Sequence, residues 1–142
     1  PYGIYADITQ VAVAAAEPTP RQQEIFEIVK NAQKIGIDFV RSKMLKKEDL
    51  QGAQVDDVCR KYIIESGYGD FFTHRTGHNI DIEVHGGGAH LDNLETSDFR
   101  KMLPGMCFSI EPGIYLPEEF GIRLESNLLL RQDNTLEVTG GL

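Results

Sequence analysis

The 142-residue sequence has no tryptophan, only two cysteines, and fewer basic than acidic residues, 14 against 22. Each shortage argues against a class of protein. Cys59 and Cys107 lie far apart and neither sits in a CxxC pair, which speaks against a disulfide framework and against zinc held by sulfur. Buried free thiols in a reducing cytoplasm are expected instead. The formal charge of -8 and the pI near 4.9 leave no basic footprint of the kind that nucleic acid or an anionic membrane requires. No apolar run reaches bilayer length, and no basic-then-apolar signal segment opens the chain. What remains, 41% hydrophobic and 25% charged residues, suits one soluble globular domain with a real core, without internal repeats or low-complexity tracts.

Histidine, by contrast, is concentrated. Three of the four histidines fall in THRTGHNIDIEVH, Thr73 to His85, just ahead of the glycine run Gly86 to Gly88. Imidazole is the commonest metal ligand and the usual proton carrier near neutral pH, so the cluster points either to a site or to a solvated loop. His78 and His85 are seven residues apart, an odd spacing that sends them to opposite faces of a straight strand. If they act together, the backbone between them must bend.

The surrounding pattern is α+β. Tyr2 to Ala15 alternates roughly as a strand, with Tyr5, Asp7, Thr9, Val11 and Val13 on one face, so that Asp7 is either a strand-end carboxylate near solvent or a site residue. Thr19, Pro20 and Gln22 form a capping box for a helix running to about Leu45, with Ile25, Phe26, Ile28, Val29, Ala32, Ile35, Phe39 and Val40 at helical spacing. A second helix is expected from about Gln54 to Ser66, ended by a left-handed Gly67. Tyr68, Phe71 and Phe72 look like packing residues. Gly86 to about Lys101 is a long polar loop with an exposed His90. Two strands close the pattern. Met106 to Glu111 sets Cys107, Ser109 and Glu111 on one face. Ile122 to Leu130 sets Arg123 and Glu125 together on the face opposite Leu124, Ser126 and Leu128.

Three separate strands thus each carry one carboxylate, Asp7, Glu111 and Glu125, and the histidines lie between them in sequence. If these carboxylates meet, a cation is almost required, because clustered negative charges otherwise repel and take up protons. Such a hard, oxygen-rich set with one nitrogen suits manganese, iron, cobalt or zinc. The other reading scatters the same side chains at strand ends in solvent.

DIT (Asp7 to Thr9), HRTGH with EVH (His74 to His85), PGMCFSIEPGIY (Pro104 to Tyr115) and GIRLES (Gly121 to Ser126) occur in order, and over essentially the whole chain the sequence resembles the prolidase and Xaa-Pro aminopeptidase family. These are pita-bread metallopeptidases, related to methionine aminopeptidase and creatinase. The resemblance implies the second half of a pita-bread fold, residues 1–142, an antiparallel curved sheet covered by two helices. It implies a dinuclear-metal peptidase acting on peptides with proline at the second position, as aminopeptidase or dipeptidase. Asp7, His78, Glu111 and Glu125 match metal ligands, with Asp7 and Glu125 bridging and manganese favoured over cobalt, zinc or iron. Glu111 also matches the base that takes a proton from the attacking water. His74 and His85 match histidines that touch the substrate and its developing charge, and Arg123 matches a substrate-contacting or supporting arginine.

The sequence also departs from that pattern. The family's first metal-binding Asp would precede Asp7 and is not in this chain, so at most one tightly held ion, low activity, and exposed apolar surface that an intact, possibly dimeric subunit would bury are expected. Where the family has GHGIG and VHE, this chain has Gly77-His78-Asn79-Ile80-Asp81 and Val84-His85-Gly86. Asn79 and Asp81 are expected to take over the positive φ of the family glycines, with Asp81 as an additional metal ligand a remoter option. A non-catalytic peptide- or protein-binding module and a creatinase-like metal-free hydrolase are the alternatives. Retention of all four ligand positions weighs against both.

Overall fold

The computed structural model describes residues 3–140. Helix α1 spans Pro20–Lys46 and starts as its capping box dictates, the Thr19 side chain accepting from the Gln22 N–H and the Gln22 side chain from the Thr19 N–H. It ends on Lys47 in the left-handed region at φ 54°. Helix α2 spans Gly52–Glu65, two residues earlier at its start than the apolar periodicity suggested, because the Gln54 side chain caps the Gln51 N–H at 3.1 Å while the Gln54 N–H turns back to the Gln51 carbonyl. Gly67 follows it at φ 87°, as expected. A 3-10 turn over Gly69–Phe71 leads into the histidine stretch.

The strands are short. They are β1 (Asn79–Ile80), β2 (Cys107–Ile110), β3 (Gly113–Leu116), β4 (Phe120–Arg123), β5 (Ser126–Leu130) and β6 (Leu136–Thr139). All pairs are antiparallel, in a four-stranded sheet ordered β1-β2-β5-β6 and a two-stranded sheet β3-β4. α1 lies across both. Its first half, with Ile25, Val29 and Ala32, packs with Ile63, Phe72, Ile114 and Ile122, and its second half, with Val40 and Met44, packs with Val55, Phe108, Ile110 and Leu128. Each such aliphatic side chain, once fully buried, contributes roughly 1.5–3 kcal/mol. Phe72 is buried and Tyr68 and Phe71 pack beside it, as packing residues should.

Two strand expectations need correction. Ile122 to Leu130 is not one strand but β4 and β5, parted at Leu124 and Glu125 where the chain passes from one sheet to the other. β2 and β3 part in the same way at Glu111 and Pro112. The two halves make one long hairpin with a corner, and the register runs on through it: Ile110 faces Ser126 before the corner, and Gly113 faces Arg123 after it. Glu111 therefore stands opposite Glu125. Their N–H groups both point outward, to the Thr76 and Thr9 carbonyls respectively. Such a non-hydrogen-bonded pair is the closer-set kind, with Cα atoms about 4.5 Å apart and side chains on the same side.

Tyr2 to Ala15 is likewise not a regular strand. Tyr2 lies outside the described residues, and the rest runs extended with one bridge, Thr9 to Glu125, before bending at 14–17. Along most of its length it has no ladder partner, so alternation could not organise it, and Ile4, Tyr5, Ile8, Val11 and Val13 remain exposed. This is the apolar surface anticipated for the chain. Among the described residues no helix is long and apolar enough to cross a membrane.

Candidate metal centre

The corner of the hairpin brings the acids together on the face away from the helices. Phe108, Ile110, Leu128 and Leu130 turn to the core, which leaves Ser109, Glu111, Glu125 and Asn127 on the other side. The extended segment before α1 crosses there as a strap. Asn127 clamps it, accepting the Asp7 N–H at 3.1 Å and donating to the Asp7 carbonyl at 2.5 Å, while the Glu125 N–H reaches the Thr9 carbonyl at 3.0 Å. Asp7 and Thr9 thereby turn inward.

His78 enters from the opposite edge. β1 pairs with β2, and the His78 N–H donates to Ser109 Oγ at 3.0 Å while the Ser109 N–H donates to the His78 carbonyl at 2.8 Å. Its ring Nε2 then lies 3.3 Å from Glu111 Oε1 and 3.4 Å from Asp7 Oδ2. Asp7, His78 and Glu125 each offer a ligand atom within 4.8 Å of the other two. Three of the sequence-predicted ligands thus approach one point, while Glu111 stands outside that group, beside the His78 ring.

Local electrostatics show that this cluster, taken alone, is short of positive charge. Burial first, and the facing Glu125 second, push the Glu111 carboxyl up to about 7. Burial also raises Glu125, against the opposing hydrogen bond from Thr9 Oγ1 to Glu125 Oε2 at 2.6 Å. Burial lowers His78, favouring its neutral ring. Nδ1 of that ring faces the Asn79 carbonyl at 3.2 Å, so the tautomer that donates there presents a lone pair on Nε2 to two carboxylates. The other Glu125 oxygen, Oε1, is buried without any hydrogen-bond partner. A lone pair on Nε2, an orphaned carboxylate oxygen on Glu125 and the nearby Asp7 carboxylate, with Glu111 beside the ring, form a donor set of the kind a divalent cation takes.

The remaining predicted residues take distinct places. The exposed His85 sits beside His78, ring centroids 4.2 Å apart and nearly perpendicular, which the bend after the two-residue β1 allows. Arg123 Nε is 4.0 Å from Glu111 Oε2 and donates to Thr9 Oγ1 at 3.3 Å. His74 is not in this cluster. Its Nδ1 faces the Arg75 carbonyl and its Nε2 the Tyr115 hydroxyl, both at 2.7 Å, and burial lowers its pKa. Tyr115 thus stands between His74 and the cluster, its own pKa raised by burial and pulled back by the Arg123 charge.

Two expectations about the loop fail. Asn79 and Asp81 are not among the residues with positive φ. Their side chains work instead: Asn79 donates to the Cys107 carbonyl and accepts from the Gly88 N–H, and Asp81 accepts from the N–H groups of Glu83 and Gly87. Asp81 is turned to its own loop and does not join the metal-ligand group. His90 is half-buried rather than exposed, its Nδ1 accepting the Asn79 N–H at 3.1 Å. Cys107 and Cys59 are buried thiols, and desolvation pushes Cys59 up to about 12, as inert packing residues should be. Thr9, Ser109, Asn127 and Tyr115 were missed as supporting residues. Three of them lie two residues from a predicted ligand, so the period-2 rule that grouped those candidates could also have singled them out.

Fold and site together define the second half of a pita-bread α+β domain, built around a carboxylate and imidazole cluster. The profile of metallopeptidase family M24 matches residues 1–132, and the chain belongs to that family. It is 39% identical over 129 residues to an Xaa-Pro dipeptidase of Lactobacillus delbrueckii subsp. lactis, covering 91% of this chain and 32% of that one. To the Xaa-Pro dipeptidase of Pyrococcus furiosus it is 34% identical over 134 residues, covering 94% and 35%. Among solved structures, the X-Pro aminopeptidase from Thermotoga maritima matches with a TM-score of 0.82 at 34% identity, over 98% of this chain and 36% of that one. The prolidase from Pyrococcus furiosus matches with a TM-score of 0.80 at 30% identity, over 98% and 38%. The chain thus spans about a third of the length of these relatives.

Proposed function

We propose that this chain carries the metal-binding half of the active site of a peptidase that cleaves the bond between an amino-terminal residue and proline. The observation that supports the reading is the approach of Asp7, His78 and Glu125 to one point from segments remote in sequence, with Glu111 Oε1 3.3 Å from the His78 ring nitrogen. Those four side chains would hold one divalent cation, with manganese favoured and cobalt, zinc or iron compatible. Asp7 and Glu125, the two bridging positions, would also face a second ion. The cation would supply Lewis acidity to the scissile carbonyl and to water.

The chain's own residues supply the rest. Glu111, opposite Glu125 at the corner and beside the His78 ring, is placed to act as the proton acceptor. His85, exposed beside His78, offers an N–H donor to the substrate. Arg123 holds Thr9 and faces Glu111, orienting both carboxylates and offering charge to a bound peptide. His74 acts with Tyr115, whose hydroxyl stands at its Nε2. The names of the relatives, dipeptidase, prolidase and X-Pro aminopeptidase, support a proline-directed substrate. Two buried, unpaired thiols fit a reducing compartment such as the cytoplasm.

Calorimetric titration with Mn²⁺, alongside hydrolysis of Xaa-Pro and Xaa-Ala peptides, tests the reading. At least one ion per chain should bind, Glu125→Ala or His78→Ala should weaken binding at least 100-fold, and any hydrolysis should require proline and vanish in Glu111→Gln. Binding that is equal in the parent and both alanine variants would sink it.

A further inference from the structure

A hydrogen-bonded pair in an antiparallel ladder exchanges two bonds. At the corner of the hairpin this exchange is broken. The Leu124 N–H reaches the Pro112 carbonyl at 3.4 Å, but proline has no N–H to return, so the Leu124 carbonyl loses its ladder donor where the two sheets part. Gln33, on α1, stands in. Its Nε2 lies 3.1 Å from the Leu124 carbonyl and 3.1 Å from the Ile110 carbonyl, with Ser126 Oγ at 3.4 Å. Two carbonyl acceptors fix which way the amide faces, since only its nitrogen has hydrogens to give. Each carbonyl belongs to the residue immediately before a predicted ligand, Ile110 before Glu111 and Leu124 before Glu125. The amide approaches from the helix side and ties the two strands together directly behind the carboxylates.

We propose that Gln33 is a positioning residue of the metal centre, setting the separation of Glu111 and Glu125 by bridging the carbonyls that precede them. The proposal rests on the metal-centre reading above. The competing account is an ordinary helix-to-sheet anchor, whose loss would cost stability and leave the ligand spacing alone.

Gln33→Met, which keeps length and removes both donors, separates the two. Mn²⁺ affinity should fall 10- to 100-fold, the range typical of lost support to a ligand, and the visible absorption of bound Co²⁺ should change shape. Val29→Ala, in the core of the same helix but away from the corner, should lower the melting temperature while moving neither readout. Pro112→Ala creates a backbone N–H that can donate to the Leu124 carbonyl, so adding it to Gln33→Met should restore at least threefold of the lost affinity. If Gln33→Met does not fold, Gln33→His, which keeps one N–H, takes its place with a smaller expected loss. Affinity within twofold of the parent, a loss that Val29→Ala reproduces, or a loss that Pro112→Ala leaves untouched overturns the proposal. Absence of Mn²⁺ binding in the parent is a different result, removing the metal-centre reading and this proposal with it.

Discussion

Asp98 lies well along the chain from the acids of the cluster, yet it sets the floor under His78. Its carboxylate accepts the His90 N–H at 2.8 Å and the Arg100 N–H at 3.1 Å, and it takes two further bonds from the Arg100 guanidinium. His90 in turn receives the N–H of Asn79, the residue after His78. The Arg100 hydrogen bond first, with help from these backbone donors, holds Asp98 down at about 2 from its usual 3.8. A depressed carboxyl pKa stabilises the fold above the unfolded value and loses that contribution as pH falls toward the folded one. Asp98→Asn should therefore cost about 1–3 kcal/mol at pH 7. In urea unfolding the gap between parent and variant should close between about pH 4 and pH 2; a gap unchanged over that window would contradict the assignment.

Among the elements, helices were legible and corners were not. The Thr19-Pro20-Gln22 box placed the start of α1 to the residue, because a cap is a local bargain between neighbours. The sequence reads as one strand over β4 and β5 because alternation continues unbroken from Ile122 to Leu130 even where the chain changes sheet. That same continuity is why Glu111 and Glu125 share a face: side-chain parity survives a corner that hydrogen bonding does not. The loop after His78 was read by analogy with glycines, and there the physics differed. Asn79 and Asp81 use their side chains as internal brackets, and a Cβ at Gly86 would collide with Oδ1 of Asn79 and Oδ2 of Asp81. The glycine at 86 makes room for the two polar residues. Gly86→Ala should accordingly destabilise the chain by about 1–3 kcal/mol through overpacking, and adding Asp81→Gly should change that cost non-additively, since it relieves one of the two clashes and leaves the one with Asn79. Chemical denaturation of the four-member cycle measures this, and strictly additive effects would show that the positions are independent.

At the level of the whole molecule, the strap is the piece least secured by the fold. It has a single bridge, the Asn127 clamp, the Thr9 hydroxyl bonds to Glu125 and Arg123 and a bond from the Tyr5 N–H to the Asp81 carbonyl, and it carries Asp7, whose side chain is 34% exposed. A bound cation would join Asp7 to three side chains from the body of the domain. Hydrogen exchange followed by mass spectrometry should then show slower exchange over residues 3–12 when Mn²⁺ is added, with α1 changed far less. Saturation at 100 times Kd should add about 2.7 kcal/mol of stability. Equal protection everywhere, or none in the strap, would mean that Asp7 does not ligate.

The cornered hairpin has a last consequence, for how such chains can vary. Glu111 and Glu125 remain opposite each other only while β3 and β4 have matching lengths between the corner and the tip at residues 117–119. One residue added to a single limb would slide one acid past the other and turn it to the reverse side. Insertions in descendants of this chain are thus free at the tip but must come in pairs along the limbs, a coupling between distant positions that arises from geometry alone.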